Sequence, residues 1–113
     1  MKNFMLLLRE DVEETQNLPP QEFQNLVEAH MKWVQELSEK GIFKGGHGLE
    51  SGGKTITNSS MVVTDGPFIE AKECVGGYYI IEAADLEQAV AIARNCPSIK
   101  YKGKVEVRPV AVY

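Results

Sequence analysis

Two segments of this chain are apolar at every position of the strand that each predicts. Residues 4–8 read Phe-Met-Leu-Leu-Leu and residues 78–81 read Tyr-Tyr-Ile-Ile. An antiparallel sheet with one face in water instead alternates apolar and polar side chains. Folded monomers rarely expose an apolar patch as large as the second face of such a sheet. The sequence therefore requires both faces of its sheet to be covered.

The remaining apolar pattern predicts only two helices. Residues 21–40 carry apolar side chains at three-and-four spacing, and Gly41 follows as a typical C-terminal cap. A second helix is expected to start at Asp85, which forms a capping-box-like pair with Gln88. The positions expected to be buried on this second helix are Leu86, Ala89, Val90 and Ala93.

The order of the elements predicts the fold. Residues 55–57 and 61–64 have β-type composition and predict a hairpin, whereas the glycine-rich residues 45–48 indicate a flexible turn. Residues 104–113 predict the last strand. Strand, helix, strands, strand, helix and strand give an α+β fold, namely a ferredoxin-like βαββαβ unit with an extra central hairpin. We expect a single domain that covers residues 1–113.

Two helices cover only one face of such a sheet. We therefore expect a homodimer in which a second copy packs sheet against sheet about a two-fold axis. The alternative is that the central segment folds over the second face as a lid.

Composition excludes several classes of function. Twelve Lys and Arg against sixteen Asp and Glu give a net charge of −4, and the basic residues are scattered, so no nucleic-acid partner is expected. The early apolar run is too short for a signal peptide or a membrane span, and we expect a cytoplasmic protein with no membrane partner. Cys74 and Cys96 have no spacing typical of metal ligands and are predicted to be reduced thiols. Without a nucleotide-binding motif, and with two histidines, the chain is expected to need no metal or other cofactor.

His30 is the first candidate for chemistry. It falls on the apolar stripe of the first helix, where burial favours the neutral imidazole that serves as a general base near pH 7. The alternative is a core histidine hydrogen-bonded to a carbonyl or carboxylate. Asp65 lies in an Asp-Gly-Pro turn, where its carboxylate either bonds the next amides or, if the fold brings it to His30, orients the ring. His47 is expected to be exposed in the glycine-rich turn.

A second group of residues is a candidate for substrate binding. Phe68, Glu70 and Lys72 form either a solvated, charged edge or a pocket wall with an aromatic floor and an anion contact. Arg9 and Arg108 interrupt apolar strands and are candidates for binding a carboxylate; Glu10 and Glu106 are their alternative, structural partners.

The segment from residue 64 to residue 80, TDGPFIEAKECVGGYYI, resembles the signature of the YCII-related, or DGPF-domain, family. The similarity extends to the early Phe-Met-Leu-Leu strand, to the helix with His30 and Trp33, and to Val-Glu-Val-Arg-Pro at residues 105–109. The resemblance implies a dimeric α+β barrel built on a ferredoxin-like unit, and a His–Asp pair that matches His30 and Asp65. In such a barrel the helices lie outside, so His30 is expected to point at the outer face of the sheet.

The resemblance also suggests two classes of function. Relatives of this fold include isomerases of ring-cleavage pathways and a dehydrochlorinase, which implies acid–base chemistry on a small polar metabolite. Other members are associated with extracytoplasmic-function sigma factors, which implies a non-catalytic ligand-binding or regulatory module. Fold alone does not decide between these.

Overall fold

The secondary structure follows the predicted order. The computed structural model describes residues 1–11, 17–50, 52–57, 62–65, 73–101 and 103–113, with only the backbone for 62–65 and 73. The elements are β1 (Lys2–Asp11), α1 (Pro20–Glu39), β2 (Phe43–Gly48), β3 (Lys54–Thr57), β4 (Val62–Asp65), β5 (Glu73–Ala83), α2 (Leu86–Ala93), a 3-10 helix (Pro97–Tyr101) and β6 (Lys104–Pro109).

Four strands form an antiparallel sheet in the order β2-β5-β1-β6. Strands β3 and β4 pair with each other as a separate two-stranded sheet, with Thr55 opposite Thr64. If the hairpin is left out, the remaining elements have the topology of a split βαβ unit, in which each helix connects two strands of the same sheet. The prediction of a ferredoxin-like unit with an extra central hairpin is confirmed.

Helix α1 ends where the sequence predicts. Gly41 has a φ of 73°, a conformation that glycine adopts without a steric cost. Its amide donates to the carbonyl of Ser38 at 3.0 Å, and the amide of Ile42 donates to that of Leu37 at 2.9 Å. This pair of bonds is a Schellman motif. It turns the chain from the helix directly into β2.

Helix α2 begins at the predicted cap. Asp85 Oδ1 accepts from the amide of Gln88 at 2.8 Å, and Gln88 Oε1 accepts from the amide of Ala84 at 2.6 Å. Ala89 and Ala93 are buried, but the expectation that Leu86 is buried is wrong, because its side chain is 49% exposed. Helical side chains lean toward the N-terminus, so that of the first residue projects past the helix end.

The sheet has two unlike faces. On the helix face, Phe4, Leu6 and Ile81 are almost fully buried against both helices. On the opposite face, here called the second face, the apolar side chains are only partly buried. They are Met5, Leu7, Tyr78 and Ile80. Among the described residues, the buried cluster draws on both helices and lies entirely on the helix face.

Two predictions about strands are wrong. The expected flexible turn at residues 45–48 is part of β2, where Gly45 pairs with Ile80 and His47 with Tyr78. The segment has no β-branched residue to signal a strand, and its neighbour β5 imposes the pairing. The last strand ends at Pro109 rather than at residue 113, because its partner β1 begins at Lys2 and offers only one further bond, from the amide of Val110 to the carbonyl of Asn3 at 2.9 Å.

Candidate functional site

His30 lies on the side of α1 that faces the sheet, about one turn before the buried Trp33. Its side chain is half-buried, at the edge of the core rather than inside it. As expected, the ring points at the helix face of the sheet, where it meets Tyr79 of β5.

Each ring nitrogen of His30 lies within hydrogen-bonding distance of a hydroxyl group. Nδ1 lies 2.8 Å from the hydroxyl of Tyr79, and Nε2 lies 2.9 Å from Oγ of Ser98. Burial lowers the pKa of His30 below its ordinary value of 6.5, so the imidazole is neutral at pH 7. A neutral ring donates through one nitrogen and accepts through the other. The heavy-atom positions therefore fit two proton arrangements, which differ in the hydroxyl that donates to His30.

Tyr79 is fixed by the aromatic rings around it. Its ring centroid lies 5.5 Å from that of Trp33 and 5.9 Å from that of Phe43, both edge-to-face. On β2, a Cβ at Gly46 would come within 2.6 Å of Tyr79 Cδ1, so glycine allows this close approach. Burial, with a smaller contribution from Cys96, raises the pKa of Tyr79 to about 12. The phenol therefore keeps its proton and remains a hydrogen-bond donor.

Ser98 connects His30 to a buried thiol. It belongs to the 3-10 helix that starts at Pro97, directly after Cys96, whose side chain is 2% exposed. Burial raises the pKa of Cys96, and the neighbouring Ser98 offsets part of that rise. Tyr79, His30 and Ser98 thus form one hydrogen-bonded chain at the edge of the core, next to this thiol.

The predicted partners of His30 lie in the central segment. Asp65 is the last residue of β4, and its backbone pairs with Lys54, but its side chain is not among those described. Phe68, Glu70 and Lys72 lie outside the described residues. The His30–Asp65 pair and the pocket wall stay predictions.

The two candidate arginines are on the other side of the sheet from His30. Arg9 Nη1 lies 3.1 Å from Glu106 Oε1, and Arg108 Nε lies 3.9 Å from Glu106 Oε2. All three side chains alternate with the core residues Leu8, Val105 and Val107, which places them on the second face. The arginines therefore have the predicted structural partner, and the sheet separates them from His30. These ion pairs are partly exposed, so each contributes little to stability.

His47 is exposed and lies on the second face, with its ring centroid 5.9 Å from that of Tyr78. Within the described ranges, no three His, Cys, Asp or Glu side chains group closely enough to hold a metal ion. In the same part of the chain, neither helix is both long and apolar enough to cross a membrane.

Sequence reasoning missed Tyr79 and Ser98. Tyr79 was grouped with the apolar residues of its strand, although a buried tyrosine needs a partner for its hydroxyl. Ser98 follows Pro97 in a segment without periodicity. The alternation of β5 was the available signal, since it places Tyr79 and Ile81 on the face that α1 covers.

Comparison with known proteins places the fold and the family. Among solved structures, 5-chloro-2-hydroxyhydroquinone dehydrochlorinase (TftG) from Burkholderia phenoliruptrix AC1100, in complex with 2,5-dihydroxybenzoquinone, matches with a TM-score of 0.54 and 16% identity. The match covers 100% of this chain and 96% of that chain. At this identity it shows the fold alone.

An uncharacterised protein of Rhizobium meliloti (strain 1021) is 43% identical over 53 residues. Those residues are 46% of this chain and 43% of that protein, so the match spans less than half the length of the relative. The family model described as the YCII-related domain matches residues 3–113. This match covers essentially the whole chain, which therefore belongs to the YCII-related domain family.

Proposed function

We propose that this chain is an acid–base enzyme that transfers a proton to or from a small polar metabolite, with His30 as the general base. The observation that supports this is the pair of hydroxyl contacts on a half-buried imidazole, at 2.8 and 2.9 Å. A neutral imidazole near pH 7 has the basicity that proton transfer requires. Its setting at the edge of the core leaves part of the ring within reach of solvent.

The hydroxyls give His30 a route for the proton. When Ser98 donates to Nε2, the ring proton is on Nδ1 and is directed at the oxygen of Tyr79. When Tyr79 donates to Nδ1, the ring proton is on Nε2 and is directed at Ser98. The imidazole passes between these states without turning, so a proton taken up at one hydroxyl is released at the other. No ring rotation is needed during the reaction, which lowers its reorganisation cost.

We propose that Asp65 acts together with His30, because the family resemblance pairs this acid with the histidine. A carboxylate near the ring would stabilise the imidazolium that forms when His30 accepts a proton. Phe68, Glu70 and Lys72, seven residues or fewer along the chain from Asp65, are proposed as the wall that holds the metabolite. The reaction would be an isomerisation or an elimination. The solved dehydrochlorinase with its bound hydroxylated quinone supports a small oxygenated ring as the substrate class.

A panel of hydroxylated quinones and hydroquinones tests this function. Turnover is followed by absorbance for the wild-type chain, for His30→Gln and for His47→Gln, a matched change at an exposed histidine on the second face. We expect His30→Gln to lower kcat by about 100-fold or more, the usual contribution of a general base, and His47→Gln to leave it unchanged. Full activity in His30→Gln would refute the role of His30.

We also propose that the working unit is a homodimer in which two second faces pack together. Met5, Leu7, Tyr78 and Ile80 supply the partly exposed apolar surface that supports this arrangement. Arg9 and Arg108 would then border the space between the sheets, where they are proposed to bind a carboxylate at a site separate from that of His30. Sedimentation should give twice the mass of the chain, and Leu7→Arg should halve it. A wild-type monomer at micromolar concentration would refute the dimer.

The second candidate is a ligand-binding or regulatory module without catalysis, such as an accessory protein of a sigma factor. The observation that favours it is that both nitrogens of His30 already have partners, as in a structural histidine. A compound that raises the melting temperature of the protein but is not converted would support the module. Under this function His30→Gln changes ligand affinity only.

A further inference from the structure

We infer that Ser98 is a nucleophile activated by His30, and that the site forms a covalent acyl intermediate with activated esters. Three side chains carry the inference: Ser98 as the attacking hydroxyl, His30 as its base and Tyr79 as the group that orients the base. Nothing in the proton-transfer function requires Ser98 to attack a substrate. The inference shares His30 with that function, on which it rests for the basicity of the ring, and it adds a second reaction class.

The geometry is that of an activated nucleophile. Ser98 Oγ lies 2.9 Å from His30 Nε2, within the range over which a base removes a hydroxyl proton. On the far side of the ring, Nδ1 lies 2.8 Å from the hydroxyl of Tyr79. A third group on Nδ1 orients a catalytic histidine. Attack by Ser98 uses the arrangement in which the ring proton is on Nδ1 and points at the oxygen of Tyr79. Here a phenol occupies the position that a carboxylate holds in the familiar triads.

The surroundings keep this arrangement in place. The ring of Tyr79 is held edge-to-face by Trp33 and Phe43, and the backbone of Ser98 accepts a hydrogen bond from the amide of Gly103 at 3.1 Å. Both Ser98 and His30 are half-buried, so each retains some exposure to solvent. A rigid pair with a solvent-facing edge is what an incoming electrophile requires.

The acyl group that the site would take is apolar. Val27 precedes His30 by one turn on the same side of α1 and is 36% exposed, and Ile99 follows Ser98 and is 44% exposed. Each member of the pair thus has an exposed apolar neighbour. Both of these neighbours are uncharged, so we infer a neutral ester with an apolar acyl group.

The reaction balances without a cofactor. Ser98 Oγ bonds to the carbonyl carbon of the ester, its proton passes to His30 Nε2, and the carbonyl π electrons move to the oxygen. When the carbonyl re-forms, the bond to the alkoxy group breaks and His30 protonates the leaving alcohol. Water then attacks the acyl-serine, gives a proton to His30, and releases the carboxylic acid as Ser98 regains its proton. The only co-reactants are the ester and water.

The test uses p-nitrophenyl acetate on the intact chain. Release of p-nitrophenol is followed in time, and the acid-quenched protein is digested and mapped by mass spectrometry. We expect acetyl on Ser98 in the wild-type chain and in Ser38→Ala, a matched change at an exposed serine of α1. We expect no acetyl-serine there in Ser98→Ala, and formation about 100-fold slower in His30→Gln. The rate should also rise with pH as His30 loses its proton, with an apparent pKa below 6.5.

Each outcome decides the inference. Acetylation confined to lysines, or equal labelling of Ser98 in wild type and His30→Gln, would overturn it. The wild-type peptide map and pH profile decide the matter even if a variant fails to fold. A negative result leaves the proton-transfer function standing, because that function is measured by turnover of ring compounds and does not need Ser98 as a nucleophile.

Discussion

Removal of the Tyr79 hydroxyl gives the most direct energetic test of the site. Tyr79→Phe deletes the 2.8 Å hydrogen bond to His30 and keeps the ring that packs against Trp33 and Phe43. One such bond contributes about 1 kcal/mol net, whereas truncation of the whole ring would cost about 3–5 kcal/mol. Because His30 is half-buried, water replaces part of the lost contact, so we expect a loss near 1 kcal/mol. For a chain of this size that lowers the melting temperature by about 4 °C.

The assay is urea unfolding with a matched control and a double-mutant cycle. Tyr113→Phe makes the same change at a tyrosine whose side chain is fully exposed, and should alter the free energy of unfolding by less than about 0.5 kcal/mol. His30→Leu supplies the second arm of the cycle, since leucine forms no side-chain hydrogen bond. The coupling free energy between positions 30 and 79 should be about 1 kcal/mol. A coupling near zero, or equal losses in the two Tyr→Phe variants, would refute the contact.

Three further predictions follow from other contacts. Gly46→Ala would place a methyl group 2.6 Å from Tyr79 Cδ1 and from the carbonyl oxygen of Tyr78, so we expect it to destabilise the fold by about 1–3 kcal/mol in urea unfolding. Asp85→Ala removes the cap of α2 and should cost about 1 kcal/mol, measured by thermal melting; Asp85→Ser should recover most of that loss. Burial lowers the pKa of His30, so the unfolded chain takes up a proton at higher pH than the folded one. Stability should therefore be fully retained above about pH 6.5 and fall as the pH drops below it, with a slope of at most about 1.4 kcal/mol per pH unit that His30→Gln abolishes.

Local signals predicted the parts of the fold that depend on neighbours in sequence. The cap at Asp85 and the glycine after α1 are both where the sequence places them, because each is set by hydrogen bonds within one turn. The side of α1 on which His30 lies was also predictable, since helical spacing fixes which side of the helix is buried. Strand β2 was missed because its glycines carry no intrinsic preference and β5 alone specifies the pairing.

The chemistry of the site depends on contacts between distant parts of the chain. Tyr79 lies 49 residues from His30, and Ser98 lies 68 residues from it. Neither distance leaves a periodic trace in the sequence, so only the register of β5 and the path of the 3-10 helix bring these hydroxyls together. The helical spacing singled out His30, and the family resemblance named an acid as its partner and did not include the phenol or the serine.

The two tyrosines at positions 78 and 79 make β5 sensitive to changes in length. Because they face opposite sides of the sheet, either can be substituted without altering the surface that the other serves. Insertion or deletion of one residue before them would instead exchange the two rings between the surfaces. Homologues should therefore diverge at each position independently, while the spacing from Gly76-Gly77 to Ala83 stays constant. A substitution beneath α1 therefore leaves unchanged the side chain that β5 presents on the other side of the sheet.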